Sequence, residues 1–277
     1  MNTRNLIFYC LLSVFLFLNI ACSQKSDLTV ISHNVLAFAG HPDSVWVTNN
    51  EMVIKAAELY ESHNPDIIIL QEAPEEPVIE MLAELLNFNY AYFSPGSAGS
   101  TQYPYGFPGA ILSHYKIHDP EDFIKKFPEK PETVFTRHLG SAKVETPQGP
   151  IFILATHLCS NFGGVFREET RMAEVSYIKE NVQFCDQCRL NIWAADFNFK
   201  PVSNPYNEII DMGFQDTDSP TNVNATVPVP DGKAKIDHIF YLGEIDTVTF
   251  EVIQMPFYDD LQKYLSDHHA VKATFHF

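Results

Sequence analysis

Asn191-Ile192-Trp193-Ala194-Ala195-Asp196-Phe197-Asn198 passes from apolar residues into a carboxylate, a ring and an amide. A short apolar run of this kind reads as a buried strand, and its polar end then lies at the edge of a sheet. In extended chain, Asp196 and Asn198 fall on one side and Phe197 on the other. The pattern recurs in both directions from here. Ile67-Ile68-Ile69-Leu70-Gln71 runs into Glu72, and Ile151-Phe152-Ile153-Leu154-Ala155-Thr156 runs into His157. Leu28 to Val35 reads as the first strand, with Asn34 near its end. Asp237 stands near the start of a strand at about 235–242, and Asp267-His268-His269 stands at the mouth of the last, at 270–277.

Each polar residue has a chemistry of its own. A carboxylate after four aliphatic residues, as at Glu72, is costly to bury unless a cation or hydrogen bonds compensate it. Asp196 can orient or deprotonate a water, and Asn198 can donate to a phosphate oxygen, although an Asp-x-Asn pair is also common in turns. His157 alone also fits a satisfied core histidine. Asp267 beside His268 can supply a metal ligand and a general acid, and Asp237 can hold a histidine tautomer. Alternation sends His268 and His269 to opposite faces, so only one of them faces the site. Carboxylates, amides and histidines gathered at strand ends suit magnesium or manganese acting on a phosphate ester.

The remaining chain supplies the covering elements. Apolar positions at helical spacing mark a helix from Thr48 to His63, with Thr48 as N-cap and Pro65 beyond its end. Further helices are predicted at Glu75 to Leu86 and about Glu168 to Val182, and further strands at 110–113, 138–145 and 247–254. The Gly, Pro and aromatic-rich stretch at 94–108 is a long loop, suited either to contacting a ligand or to packing over a sheet edge. Strands outnumber helices, and helices separate several of them. The expected class is therefore α/β, with mixed sheets packed together and helices outside.

The first residues differ from the rest. Met1 to Arg4 is polar with one positive charge, Leu6 to Ile20 is almost wholly apolar, and Ala21-Cys22 follows. That run is short for a spanning helix and reads as an export signal. The expected division is a leader at 1–21, a tether at 22–27 and one domain at 28–277. Leu18-Asn19-Ile20-Ala21-Cys22 resembles a bacterial lipoprotein cleavage box, which implies lipidation of Cys22, a membrane anchor and residence in the cell envelope. Simple secretion after cleavage near Ala21 is the alternative.

Three further cysteines, Cys159, Cys185 and Cys188, cannot all pair within one molecule. Cys185-Asp186-Gln187-Cys188 ends a helical pattern, which argues against a thioredoxin-like role. One Cys pair without a second also argues against structural zinc. A disulfide that is local or reaches Cys159 is expected. A net charge of −17 disfavours tight nucleic-acid binding, which rests on many Lys and Arg contacts.

Taken together, His33-Asn34-Val35, Pro65-Asp66 through Leu70-Gln71-Glu72, Ala110-Ile111-Leu112-Ser113, Thr156-His157-Leu158 with Arg171 downstream, Asp196-Phe197-Asn198, Lys235 to Phe240 and Ser266-Asp267-His268 resemble the endonuclease/exonuclease/phosphatase superfamily, in its order. The resemblance implies a four-layer αββα sandwich with a magnesium site where the sheets open. It implies Glu72, Asn34 and Asp267 at the metal, Asp196 activating water, and Asn198 and His157 contacting phosphate. His268, chosen over His269, becomes the proton donor supported by Asp237. Val35 and Leu36 are apolar where some members carry a second carboxylate, which favours one essential metal. The expected protein is a monomeric hydrolase of small phosphodiesters or lipid head groups. A nuclease is one alternative, and a non-catalytic binding lipoprotein another.

Overall fold

The computed structural model describes residues 27–42, 45–96, 103–126, 135, 137–161, 167–221 and 224–277. The expected leader, Cys22 and almost all of the tether lie outside the described residues. No helix among the described residues is long and apolar enough to cross a membrane.

Two six-stranded sheets carry the fold. The first joins β1 (Asp27–Asn34), β2 (Ile67–Gln71), β3 (Asn89–Phe93), β4 (Gly109–Ser113), β11 (Thr247–Ile253) and β14 (Ala270–His276). Their spatial order is β11-β14-β1-β2-β4-β3. The second joins β5 (Ile117–Asp122), β6 (Leu139–Thr146), β7 (Gly149–His157), β8 (Leu190–Asp196), β9 (Gln215–Asp216) and β10 (Asp237–Gly243), in the order β5-β6-β7-β8-β10-β9. A small hairpin pairs β12 (Phe257–Tyr258) with β13 (Lys263–Tyr264).

Alternation along the strands sorts side chains into layers. Val30, Ile67, Ile69, Ile153, Ile192 and Ala194 face inward, where both sheets share one core. Ile31, Ile68 and Leu70 face the other way, against α1 (Asn50–Ser62) and α2 (Glu76–Leu86). Phe152, Leu154 and Trp193 likewise face α4 (Glu168–Asn181) and α5 (Asn204–Asp211), which follow the short α3 (Phe123–Lys126). Strands covered on both faces must be apolar throughout, which is why 67–70 and 151–155 read as unbroken hydrophobic runs. The result is the expected αββα sandwich.

Each sheet is mixed for the same reason. β1 and β2 are parallel with α1 between them, and β7 and β8 are parallel with α4 between them. A parallel pair brings two strand C-terminal ends to one edge, and antiparallel neighbours bring their N-terminal ends there. Asn34, Gln71, His157 and Asp196 thus end four central strands, while Asp237 opens β10 opposite Asp196.

Several local expectations change. The α1 cap is Asn49, whose side chain accepts from the Glu51 N–H at 3.0 Å, and not Thr48. An amide at the residue before the helix reaches that orphan donor directly. Polar β5 carries Pro120 at a register shift between His118 and Glu121 on a sheet edge, where a missing N–H is tolerated. Cys185 and Cys188 form the disulfide, leaving Cys159 free and buried.

Candidate active site

Asp196 is the hub at the opened edge of the two sheets, and it is buried. Its Oδ2 accepts from Asn34 Nδ2 at 3.1 Å and lies 3.2 Å from His157 Nε2. Its Oδ1 accepts from the Asn198 backbone N–H at 3.0 Å. Burial alone would raise its pKa, but His157 and His268 hold it below the usual carboxylate range. The carboxylate is thereby kept ionised.

His268 faces this carboxylate, its Nε2 standing 3.8 Å from Asp196 Oδ2. Its Nδ1 lies 3.1 and 3.0 Å from the two oxygens of Asp237. Because a carboxylate only accepts, Nδ1 carries a proton, and Nε2 is directed toward the reacting side. Burial works against the charged ring, but Asp237 and then Asp196 raise its pKa well above the ordinary value. Burial in turn raises the Asp237 pKa, and the buried pair holds its proton. His269 turns away, accepting from Met255 N at 3.0 Å, as alternation required.

The ring of His268 is held from behind through its backbone. Its carbonyl accepts from His33 Nε2 at 3.3 Å, so the other nitrogen, Nδ1, accepts the Tyr60 O–H at 2.8 Å. Ser266 Oγ donates to the Asn34 carbonyl at 2.6 Å and accepts the His268 N–H at 3.2 Å, tying β1 to the start of β14. Removing the buried Tyr60 hydroxyl leaves His33 Nδ1 unpaired. Tyr60→Phe is expected to cost about 1–3 kcal/mol of stability, read from urea unfolding.

Glu72 follows β2 in the left-handed region at φ 50°, which turns its side chain back into the opening. Its Oε2 is buried, with no hydrogen-bond donor among the described residues. Burial, then Asp267, pushes its pKa up to about 8. An orphaned carboxylate oxygen beside the Asp267 and Asp196 charges fits a hard divalent cation, which would pair with that oxygen and offset the repulsion among the carboxylates. Asp196, Asp237 and His268 also place ligand atoms within 4.8 Å of one another. In that group, however, the His268 and Asp237 atoms already pair at hydrogen-bond length, so Glu72 is the better-supplied ligand.

One expectation is corrected here. The chain is not extended through Asn198, which sits at φ 53° in a turn closed by Asp196. Its side-chain amide donates to the Leu158 carbonyl at 3.1 Å, so it fastens the β7 end to the β8 end. Arg171, on α4, is engaged with the chain that follows β7. Buried, it donates to the Cys159 carbonyl at 2.8 Å and to Asn161 at 2.9 Å, bracing the loop after β7.

Glu72, His157, Asp196, Asn198 and His268 line one cavity of about 430 Å³, together with Trp46, Tyr103, Phe107, Arg137, Cys159, Ser160 and Arg167. The aromatic loop at 94–108 therefore contributes Tyr103 and Phe107 to it. Trp46 and Arg137 were not signalled by the sequence, since each stands outside a strand-end motif.

The sequence and the fold have counterparts among known proteins. The Endonuclease/Exonuclease/phosphatase family matches this sequence over residues 31–268. The chain belongs to that family. A truncated TDP2 from Caenorhabditis elegans has a similar structure, with a TM-score of 0.64 and 20% identity over 92% of this chain and 99% of that one. An endonuclease/exonuclease/phosphatase from Bacteroides vulgatus matches with a TM-score of 0.65 and 19% identity over 91% and 99% of the two chains. A family protein from Leptotrichia buccalis matches with a TM-score of 0.64 and 19% identity over 90% and 100%. No curated protein matches the chain. At these identities the solved structures establish the shared fold, and family membership supports a metal-dependent phosphoester hydrolase or nuclease.

Proposed function

We propose that this protein is an exported, lipid-anchored hydrolase of small phosphodiesters or phosphorylated lipid head groups that works with one magnesium ion. The observation carrying the hydrolase reading is the convergence on one cavity of an ionised Asp196, a His268 ring held by Asp237, and a Glu72 oxygen with no hydrogen-bond donor among the described residues.

Glu72, with Asp267 and Asn34, would hold the cation. When bound, it withdraws charge from a phosphate oxygen that would otherwise repel a nucleophile. Asp196 accepts the proton of an attacking water. Its hydrogen bonds from Asn34 and Asn198 keep the accepting oxygens aimed at the opening. His268 donates from Nε2 toward the oxygen that departs or bears the growing charge, while Asp237 fixes the opposite nitrogen. Burial and the neighbouring Arg137 charge lower the His157 pKa to about 4, so at neutral pH its ring is uncharged. It can then donate through Nε2 to Asp196 or to phosphate. No side chain is asked to form a covalent intermediate.

A magnesium-dependent screen across nucleic acids, sphingomyelin, phosphoinositides and soluble phosphodiesters tests the substrate class. Faster turnover of a small ester or head group is expected. Plasmid nicking at a comparable or greater rate would make the protein a nuclease instead. The net charge of −17 supports the small-ester reading, because the chain lacks the excess of cations that holds a polyanion.

The anchor is tested separately. Cys22→Ala is expected to move the protein from the membrane fraction to the soluble fraction and to remove lipid incorporation. Unchanged fractionation and labelling would exclude lipidation at that residue.

A further inference from the structure

The cavity holding Asp196 and His268 has a second wall that hydrolysis of a bare phosphate ester does not require. Arg137 lies on it and is only 7% exposed. Its guanidinium sits 4.7 Å from the centre of the Phe107 ring and donates to Ser160 Oγ at 2.8 Å. Arg167, which is exposed, lines the same cavity. Trp46 packs against Tyr103 at 4.2 Å between ring centres, and Tyr103 against Phe107 at 5.2 Å.

Charge chemistry selects the occupant. Two guanidinium groups line one cavity in a chain of net charge −17, so part of its wall can attract an anion even beside the Glu72 and Asp196 carboxylates. A guanidinium presents its donors as a planar fork that matches a phosphate or carboxylate. A quaternary ammonium group would need an open aromatic face. Here the Phe107 face already carries Arg137, and the two cations would repel.

We propose that Arg137, Ser160 and Arg167 seat a second anionic group of the substrate, a phosphate additional to the one attacked, with Trp46 and Tyr103 flanking the organic part that joins the two. This rests on the phosphoester reading above and narrows it to small molecules bearing at least two phosphates. A choline-type ester is disfavoured. The second phosphate can come from a phosphorylated polyol or from the end of a short nucleotide.

Calorimetric titration of the Asp196→Asn chain in magnesium tests the subsite without depending on turnover. The probes are an inositol bisphosphate and its monophosphate, a thymidine dinucleotide with and without a terminal phosphate, and p-nitrophenylphosphorylcholine. At least one doubly phosphorylated probe is expected to bind about tenfold tighter than its matched partner, and which pair shows it identifies the source. Arg137→Gln combined with Arg167→Gln should reduce that ratio to near one. Equal affinities within both pairs, a ratio unmoved by the arginine substitutions, tighter binding of the choline ester or no binding at all would each overturn the proposal. Hydrolysis by the unsubstituted chain is measured in parallel. Turnover without a binding preference would defeat only the second-phosphate subsite, and a preference without turnover would defeat only the hydrolase reading.

Discussion

Asp196→Asn is expected to lower kcat/KM for phosphoester hydrolysis by about 10²–10⁴-fold, the range attributable to a positioned proton acceptor. The substitution preserves shape and removes the charge. Asp196 accepts from Asn34 and from the Asn198 N–H, and stands near both His157 and His268. A neutral amide would keep part of this network while losing the capacity to take a proton from water. If Asp196 were only a fastener between strand ends, the rate would follow stability, and a folded Asn variant would remain active. Circular dichroism and urea unfolding beside the kinetics separate these cases. An active, folded variant would remove Asp196 from the chemistry.

Glu72→Gln should lower the metal-stimulated rate by about 10³-fold, because a cation stabilises the charged transition state by several kcal/mol. The pH dependence gives a second signature. In the metal-free chain, burial and then Asp267 push the Glu72 carboxyl up to about 8. A cation binds the ionised form, so protons compete with it below that value and no longer do so above it. Apparent magnesium affinity should therefore rise about tenfold per pH unit as pH increases toward about 8, then level off. Calorimetry checks the slope, and the Gln variant should lose it. A wild-type affinity independent of pH would exclude Glu72 as the titrating ligand.

The strand-end residues were legible because they interrupt unbroken apolar runs. Asp196 after Ile192-Trp193-Ala194-Ala195 and Glu72 after Ile67-Ile68-Ile69-Leu70 stand out for one reason: strands buried on both faces tolerate few charges. The two parallel pairs then convert scattered positions into one cluster. Polar β5 escaped this reading because an edge strand need not be hydrophobic. Asn198 was misread as extended because its φ depends on a turn closed by the Asp196 side chain. Arg137 and Trp46 were missed for a different reason. Their importance lies in which cavity they border, a property of the tertiary fold with no periodic signal along the chain. His33 also looked like an ordinary strand residue, and only the structure shows it joining Tyr60 to the His268 carbonyl.

His268 supplies a further discrimination. A non-catalytic binding protein with this fold would tolerate His268→Ala, Asp196→Ala and Glu72→Ala without losing any turnover, having none to lose. A hydrolase should lose turnover in all three while retaining its fold. The raised pKa of His268 depends on Asp237 and Asp196, after burial has opposed it. Proton donation should consequently persist through neutral pH and fail only as the ring deprotonates on the alkaline side.

The most direct measurement is hydrolysis of a soluble phosphodiester by the chelator-treated chain, before and after addition of magnesium, beside Glu72→Gln. The account predicts negligible hydrolysis without metal, recovery on its addition to the wild type, and little recovery in the folded Gln variant. Equal hydrolysis by wild type and variant, or no hydrolysis of any phosphoester with magnesium or manganese restored, would contradict it.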